Sequence, residues 1–196
     1  VTSTSQKKSA CPVLVAVTGA SGSVYALKFL ELMEAVGQEV HLVMSETAVQ
    51  VCGLELGEDG IRRMESLSAR IYDVSRFDML PASGSSRWRA MVIIPCTMGT
   101  LGSIVHGISG NLIHRAADCF LKERRTLVAV VRETPFNRIH LRNLLEFTDS
   151  GGVVYPAMPA FYSRPSDLDE MVSFFAGRLA EFLGFEIKGL PVWQGM

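Results

Sequence analysis

Short runs of consecutive apolar residues alternate with longer stretches in which apolar positions recur every three or four residues. Val13–Val17, Met91–Pro95 and Leu127–Val131 contain no polar interruption. Runs this short, bounded by turns, predict strands covered on both faces. Glu39–Met44 predicts a further strand and Val153–Tyr155 a short one. Between them, Ser21–Val36 places Val24, Leu27, Leu30 and Val36 near helical spacing, and Gly37 closes the helix. Helices are also predicted over Glu46–Gly53, Leu112–Arg125, Arg138–Ser150 and Leu168–Leu183. Gly99–Gly110 reads as a Gly-rich stretch. Residues 54–89 form the least regular segment, ending in the turn-rich Pro81-Ala82-Ser83-Gly84-Ser85-Ser86. Residues 1–11 are expected to be a disordered lead. Residues 12–196, with no internal repeat or dividing linker, are expected to form one domain with a C-terminal helix and tail.

Apolar strands separated by helices predict an α/β fold, a parallel sheet with helices on both faces. Such sheets bind ligands at the carboxyl ends of their strands. That directs attention to Thr18–Ser23, Ser45–Thr47, Cys96–Leu101 and Arg132–Pro135.

Composition sharpens this in three ways. With 48% hydrophobic and 20% charged residues among 196, and a mean hydropathy of +0.24, the chain is neither disordered, a coiled coil nor collagen-like. The apolar surplus points to surface buried between subunits. Nineteen Lys+Arg against 20 Asp+Glu count against nucleic-acid binding through a bulk basic surface. The apolar runs fall far short of the roughly 20 residues that a membrane helix needs. The polar first ten residues do not resemble a signal peptide. Cys11, Cys52, Cys96 and Cys119 form no C-x-x-C and no zinc spacing, which predicts a reducing cytoplasm and no metal.

Thr18-Gly19-Ala20-Ser21-Gly22-Ser23 follows the first strand. It is neither G-x-G-x-x-G nor a P-loop. Its glycines and the amides at the helix start suit a phosphate, or form an ordinary serine-capped turn. Cys96-Thr97-Met98-Gly99-Thr100 occupies the same topological place after another strand, so two loops could hold a mononucleotide. From Arg115 to Arg142 the chain is locally basic: Arg115, Lys122, Arg124, Arg125, Arg132, Arg138 and Arg142 against Asp118, Glu123 and Glu133. Asp118 could pair with both Arg115 and Lys122 on a helix capped by Asn111. Arg132-Glu133-Thr134-Pro135, directly after a buried strand, could instead offer a fork for phosphate and a carboxylate for a proton. His106, His114 and His140 read as packing or surface residues. Cys96 reads as a small buried residue with no histidine to activate it.

Seven segments occur together in order. They are Thr18-Gly19-Ala20-Ser21-Gly22, Pro81-Ala82-Ser83-Gly84-Ser85, Pro95-Cys96-Thr97-Met98-Gly99-Thr100-Leu101, Asn111-Leu112-Ile113-His114-Arg115-Ala116-Ala117-Asp118, Leu121-Lys122-Glu123-Arg124-Arg125, Arg132-Glu133-Thr134-Pro135 and Pro159-Ala160-Phe161-Tyr162-Ser163-Arg164-Pro165. In this respect the chain resembles the UbiX-type flavin prenyltransferases, formerly described as decarboxylases, from about residue 13 to 184. A weaker echo lies at Leu190-Pro191-Val192-Trp193.

The resemblance implies a three-layer Rossmann-like (flavodoxin-like) domain assembled into a homododecamer, with each site at a subunit junction. It implies metal-independent transfer of a dimethylallyl group from dimethylallyl phosphate to N5 and C6 of reduced FMN. The prenylated FMN would then serve a UbiD-type decarboxylase. FMN would contact Gly19, Ala20, Ser21, Ser45, Thr97, Met98, Gly99, Thr100 and Arg132. The prenyl phosphate would meet Lys122, Tyr162 and Arg178, with Arg115 nearby. Glu55 and Glu133 would be the carboxylates at the reacting centre, beside Ser21, and Phe77 would wall the prenyl group. The chain departs from the family at Glu46, where lysine is common, and at Phe77, where tryptophan is usual; Gly57–Val74 matches no segment. An FMN-dependent cysteine decarboxylase of the related oligomeric flavoproteins is the competing reading. Its Pro-x-Met-Asn loop is replaced here by Arg132-Glu133-Thr134-Pro135. A non-catalytic FMN-binding module would need no second set of phosphate-binding cations.

Overall fold

The computed structural model describes residues 11–191; residues 1–10 of the expected disordered lead and the Val192-Trp193 part of the C-terminal echo lie outside the described residues, while Cys11, also expected in that lead, is placed and its carbonyl accepts from Gln38 Nε2 (3.1 Å). Six parallel strands form one sheet: β1 (Val13–Val17), β2 (Val40–Met44), β3 (Arg70–Tyr72), β4 (Ala90–Cys96), β5 (Leu127–Val131) and β6 (Val153–Val154). Their order is β3-β2-β1-β4-β5-β6, so the chain reverses direction across the sheet between β1 and β4. This is the Rossmann order, whose ligand crevice opens at that reversal. Every residue of β1, β4 and β5 is buried, because helices cover both faces. Val13, Val15, Val17, Val92, Ile94, Val128 and Val130 point into one layer. Leu14, Ala16, Met91, Ile93, Leu127, Ala129 and Val131 point into the other, where Phe120 and Phe147 are fully buried.

The first layer is α1 (Ser23–Ala35), α2 (Glu46–Ser66) and α6 (Leu168–Phe182); the second is α3 (Met98–Val105), α4 (Leu112–Lys122) and α5 (Arg138–Asp149). Two expectations need correction. The helix expected to stop at Gly53 runs to Ser66, with a break at Gly57 (φ 68°, ψ 179°). The Gly-rich stretch begins with a helix, α3, because Leu101 and Ile104 are buried in the core and override the weak helix propensity of the glycines. Within the supposedly irregular segment lie β3 and a short 3-10 turn, Leu80–Ala82. Pro95 has no N–H to give the ladder, and the β4–β5 register shifts between Ile93 and Cys96. Its carbonyl is thereby left for the first loop.

Candidate active site

Thr18 follows an all-apolar strand yet is only 3% exposed. Its hydroxyl donates to the Pro95 carbonyl (2.8 Å) and accepts from the Thr97 amide (2.9 Å). The loops after β1 and β4 are thus tied together at the reversal. Beside it, Gly19 packs against the start of α2: a Cβ there would lie 2.4 Å from Thr47 Cγ2. No side chain is tolerable at that approach, which accounts for the glycine.

The first turn of α1 is not left free for an external anion. Gly22, at φ 110°, is the N-cap and offers no side chain. The Glu55 carboxylate reaches across from α2 instead, accepting from the Gly22 amide (3.0 Å) and the Ser23 amide (2.7 Å). Partial burial pushes the Glu55 carboxyl upward, but hydrogen bonds from Ser21, Ser23 and Gly22 outweigh it and hold it below the usual carboxylate range. Arg132, leaving β5, donates from Nε to the Ser21 carbonyl (2.9 Å). Ser21, Glu55 and Arg132 therefore belong to one linked unit.

Two further helix starts at this edge, those of α2 and α3, are capped by their own side chains. Ser45 Oγ accepts from Ala48 N at 3.0 Å, and Thr97 Oγ1 accepts from Thr100 N at 3.0 Å while donating to Thr100 Oγ1 at 2.9 Å. These caps leave first-turn amides, including those of Met98 and Gly99, without intrahelical acceptors. The Met98 side chain is buried in the core, so only its backbone can serve a ligand. At Gly99 a Cβ would meet nothing nearer than Thr97 Oγ1 at 3.9 Å, so the surface there is open. Glu133 is exposed, and its carboxylate accepts from the Thr134 amide at 2.9 Å. A cavity of about 360 Å³ lies against it, lined by Arg132, Glu133, Phe136, Pro156, Ala157 and Met158 among others.

The basic residues distribute differently. Arg115 and Lys122 lie on α4, and Lys122 lines a cleft of about 810 Å³ with Arg89, Ala90, Arg125 and Thr126. Those neighbours mark the amino ends of β4 and β5, the opposite edge of the sheet from Arg132. Five strand residues separate the two edges, roughly 17 Å. The Pro81–Ser86 loop packs here: Arg115 Nε donates to Ala82 O (3.2 Å), and Arg125 donates to the carbonyls of Ser86 and Gly84. Asn111 caps α4 as expected. Asp118 pairs with Arg115 alone, at 2.7 Å, whereas Lys122 pairs with Glu123. On α6, Arg178 pairs with Glu181. The Tyr162 ring stands edge-on to Phe174 at 5.5 Å, and burial pushes the nearby Tyr155 hydroxyl up while Arg178 opposes the rise. Phe77 is exposed. One copy of the chain thus joins Gly19, Ala20, Ser21, Ser45, Glu55, Thr97–Thr100, Arg132 and Glu133 at one edge, and keeps Lys122 away from it.

The remaining candidates serve the fold. His140 completes a capping box with Asn137 at the start of α5, and His106 Nδ1 contacts Gly102 O at 2.8 Å. His114 is half-buried and held toward its neutral form by desolvation. Complete burial pushes the Cys96 thiol up to about 12, far from a working nucleophile. Sequence reasoning missed Thr18 and Thr47 as the contacts that lock the loops. A polar residue ending an unbroken apolar strand was the available signal for Thr18.

A family model described as Flavoprotein matches residues 1–179. The flavin prenyltransferase UbiX of Methanothermobacter thermautotrophicus is 42% identical over 184 residues, covering 93% of this chain and 95% of that protein. The crystal structure of AnUbiX (PadA1) in complex with FMN and dimethylallyl pyrophosphate superposes with a TM-score of 0.91 at 34% identity, over 95% of this chain and 98% of that one. A dodecameric FMN-dependent UbiX-like decarboxylase from Escherichia coli O157:H7 gives a TM-score of 0.89 at 37% identity, over 94% and 100%.

Proposed function

This chain belongs to the UbiX flavin prenyltransferase family, and on that premise we propose that its carboxyl-edge site binds reduced FMN and joins a dimethylallyl group to it from dimethylallyl phosphate. The observation that carries this reading is the convergence at the sheet reversal of Ser21 with Glu55, the α3 start, and Arg132 with Glu133. The donors present fit the flavin. First-turn amides of α2 and α3, the hydroxyls of Ser45, Thr97 and Thr100, and the Arg132 guanidinium suit a phosphate monoester and the carbonyl-rich edge of an isoalloxazine. The open backbone at Gly99 admits a flat ring.

When bound, reduced FMN supplies N5 and C6 as the atoms that take the two ends of the dimethylallyl group. Ser21, fixed by its carbonyl bond to Arg132 and by the neighbouring Glu55, presents its hydroxyl at the reacting centre. As the allylic C–O bond breaks, its electron pair leaves with the phosphate, and the cations of Lys122, Arg115 and Arg178 with the Tyr162 hydroxyl stabilise that growing charge. Ring closure would shift one proton from flavin C6 to the middle carbon of the alkene as the second bond forms, and Glu133, exposed and adjoining the cavity, would carry it. Phe77 covers the prenyl group.

Lys122 sits at the opposite edge of the sheet in one copy, so a neighbouring copy would supply it, and the site is complete only in an oligomer. A dodecamer accounts for this and for the apolar surplus. The product then serves a UbiD-type decarboxylase in a reducing cytoplasm, where the four free cysteines stay reduced. Anaerobic incubation with reduced FMN and dimethylallyl phosphate, or the pyrophosphate in a parallel arm, followed by mass spectrometry of the extracted flavin, tests the assignment. The expected product carries one added dimethylallyl group, with faster formation from the monophosphate. Unmodified FMN from folded protein in both arms would refute it.

A further inference from the structure

The break in α2 at Gly57 lies two residues beyond Glu55 and has a geometric consequence for it. Ahead of the break, Ala48 and Cys52 face the core and Glu55 reaches α1. Beyond it, Gly60, Met64 and Leu67 face the core. An unbroken helix advances about 100° per residue. On that count Ala48, Cys52 and Glu55 share one direction, while Gly60, Met64 and Leu67 point about 120° away. Both sets cannot face α1 and the sheet on one continuous helix.

Gly57 removes the conflict. Its φ of 68° with ψ of 179° is a conformation essentially restricted to glycine, and a Cβ there would meet nothing within 4 Å. The residue is thus required for its backbone and not for space. Across the break Leu56 folds over Gly60, where a Cβ would lie 2.3 Å from Leu56 Cβ. The outer half is then pinned to α1 by Arg63, which contacts Glu34 at 3.2 Å and Glu31 at 3.8 Å, and by fully buried Met64.

We propose that Gly57 is a positioning residue for the reaction: by re-phasing α2 it holds the Glu55 carboxylate on the Gly22 and Ser23 amides, and so fixes Ser21, while the outer half of the helix stays in the core. This rests on the assignment of Glu55 to the reacting centre. The outer half of α2, which matches no family segment, acquires a role as the anchor against which Glu55 is set.

The test compares Gly57→Ala, Gly57→Asn, Glu55→Gln and the double variant Gly57→Ala/Glu55→Gln. Amide hydrogen exchange at Gly22 and Ser23 reads the contact directly and without turnover. The expected result for Gly57→Ala is about tenfold or greater loss of protection at those two amides with β1 and β4 amides unchanged. Gly57→Asn, barred like alanine from φ 68° with ψ 179°, is expected to lose protection to a similar extent, and it carries the measurement if Gly57→Ala does not fold. In turnover, kcat falls about tenfold with KM for the prenyl phosphate nearly constant, and Gly57→Ala adds no further loss to Glu55→Gln, the non-additivity expected of residues acting through one contact. Retained protection at Gly22 and Ser23 in a folded Gly57 variant overturns the proposal. So do independent, multiplying losses in the double variant. Loss of protection together with unimpaired Glu55→Gln turnover would instead leave the geometry standing and overturn the catalytic assignment of Glu55.

Discussion

Replacing Thr18 by valine removes one hydroxyl and almost no volume, which makes it a sharp probe of how the site's two loops are joined. The Thr97 amide loses its acceptor at 2.9 Å in a position where Thr18 itself is only 3% exposed. Pro95 O loses the 2.8 Å hydroxyl donor but keeps the Thr18 amide at 3.2 Å. Leaving a buried N–H unpaired costs about 1–3 kcal/mol, and the surviving bond to Pro95 makes the second loss smaller. We therefore expect Thr18→Val to destabilise by about 2 kcal/mol, a fall in Tm of roughly 4–8 °C for a chain of this size. Thr18→Ser keeps both bonds and gives up one buried methyl, about 1 kcal/mol, so its Tm falls by roughly half as much. Flavin affinity, measured by fluorescence quenching, should drop for valine and hold for serine, because only valine frees the α3 start from the first loop. Calorimetry at fixed protein concentration, without flavin, checks the stability order. A Tm for Thr18→Val within about 1 °C of the parent, or a serine variant less stable than the valine one, would refute the staple.

Glu55 carries a pH prediction whose sign follows from its depressed carboxyl. Its contribution is fully present above the ordinary glutamate range and is lost as pH falls through its lowered folded value. The Tm difference between the parent and Glu55→Gln should therefore be largest at neutral pH and close below about pH 4; a gap that widens in acid contradicts the hydrogen-bonded carboxylate. If the site is shared between copies, Lys122→Ala and Glu133→Gln chains, each slow alone, should regain turnover when co-assembled with distinct tags. Mixed assemblies no faster than the average of the parents would place both residues in one copy's site. Cys52, Cys96 and Cys119 are buried with thiols pushed upward, so maleimide at pH 7 followed by peptide mass spectrometry should label Cys11 first; early labelling of Cys96 would show that the β4 end opens.

How much of this was legible in the chain differs by element. β1 and β5 match the apolar runs residue for residue, since burial on both faces leaves a periodicity-free signature. β3 was invisible because only Tyr72 of Arg70-Ile71-Tyr72 is buried at that sheet edge. The second half of α2 was hidden by Gly57 and by the polar Glu58, Asp59, Arg62 and Arg63, whose partners come from neighbouring turns and from α1. At the site, Ser21 announced itself in the Gly-bearing loop after β1, and Arg132 as the charged residue directly after β5. Glu55 did not, because its meaning lies in a contact 33 residues away in sequence from Gly22. The separation of Lys122 from Arg132 is likewise a fact of strand direction, and spacing along the chain carries no trace of it.

The cations assigned to the prenyl phosphate each arrive with an acidic companion: Arg115 with Asp118, Lys122 with Glu123, Arg178 with Glu181. Exposed pairs of this kind hold together by at most about 1 kcal/mol, so exchanging one partner for another costs little. A singly charged anion gains nothing over the carboxylate it displaces. A dianion brings two charges to several such cations at once, and wins. On the proposed assignment the arrangement would filter by valence: chloride or acetate would leave the pairs closed, and an ester phosphate would open them.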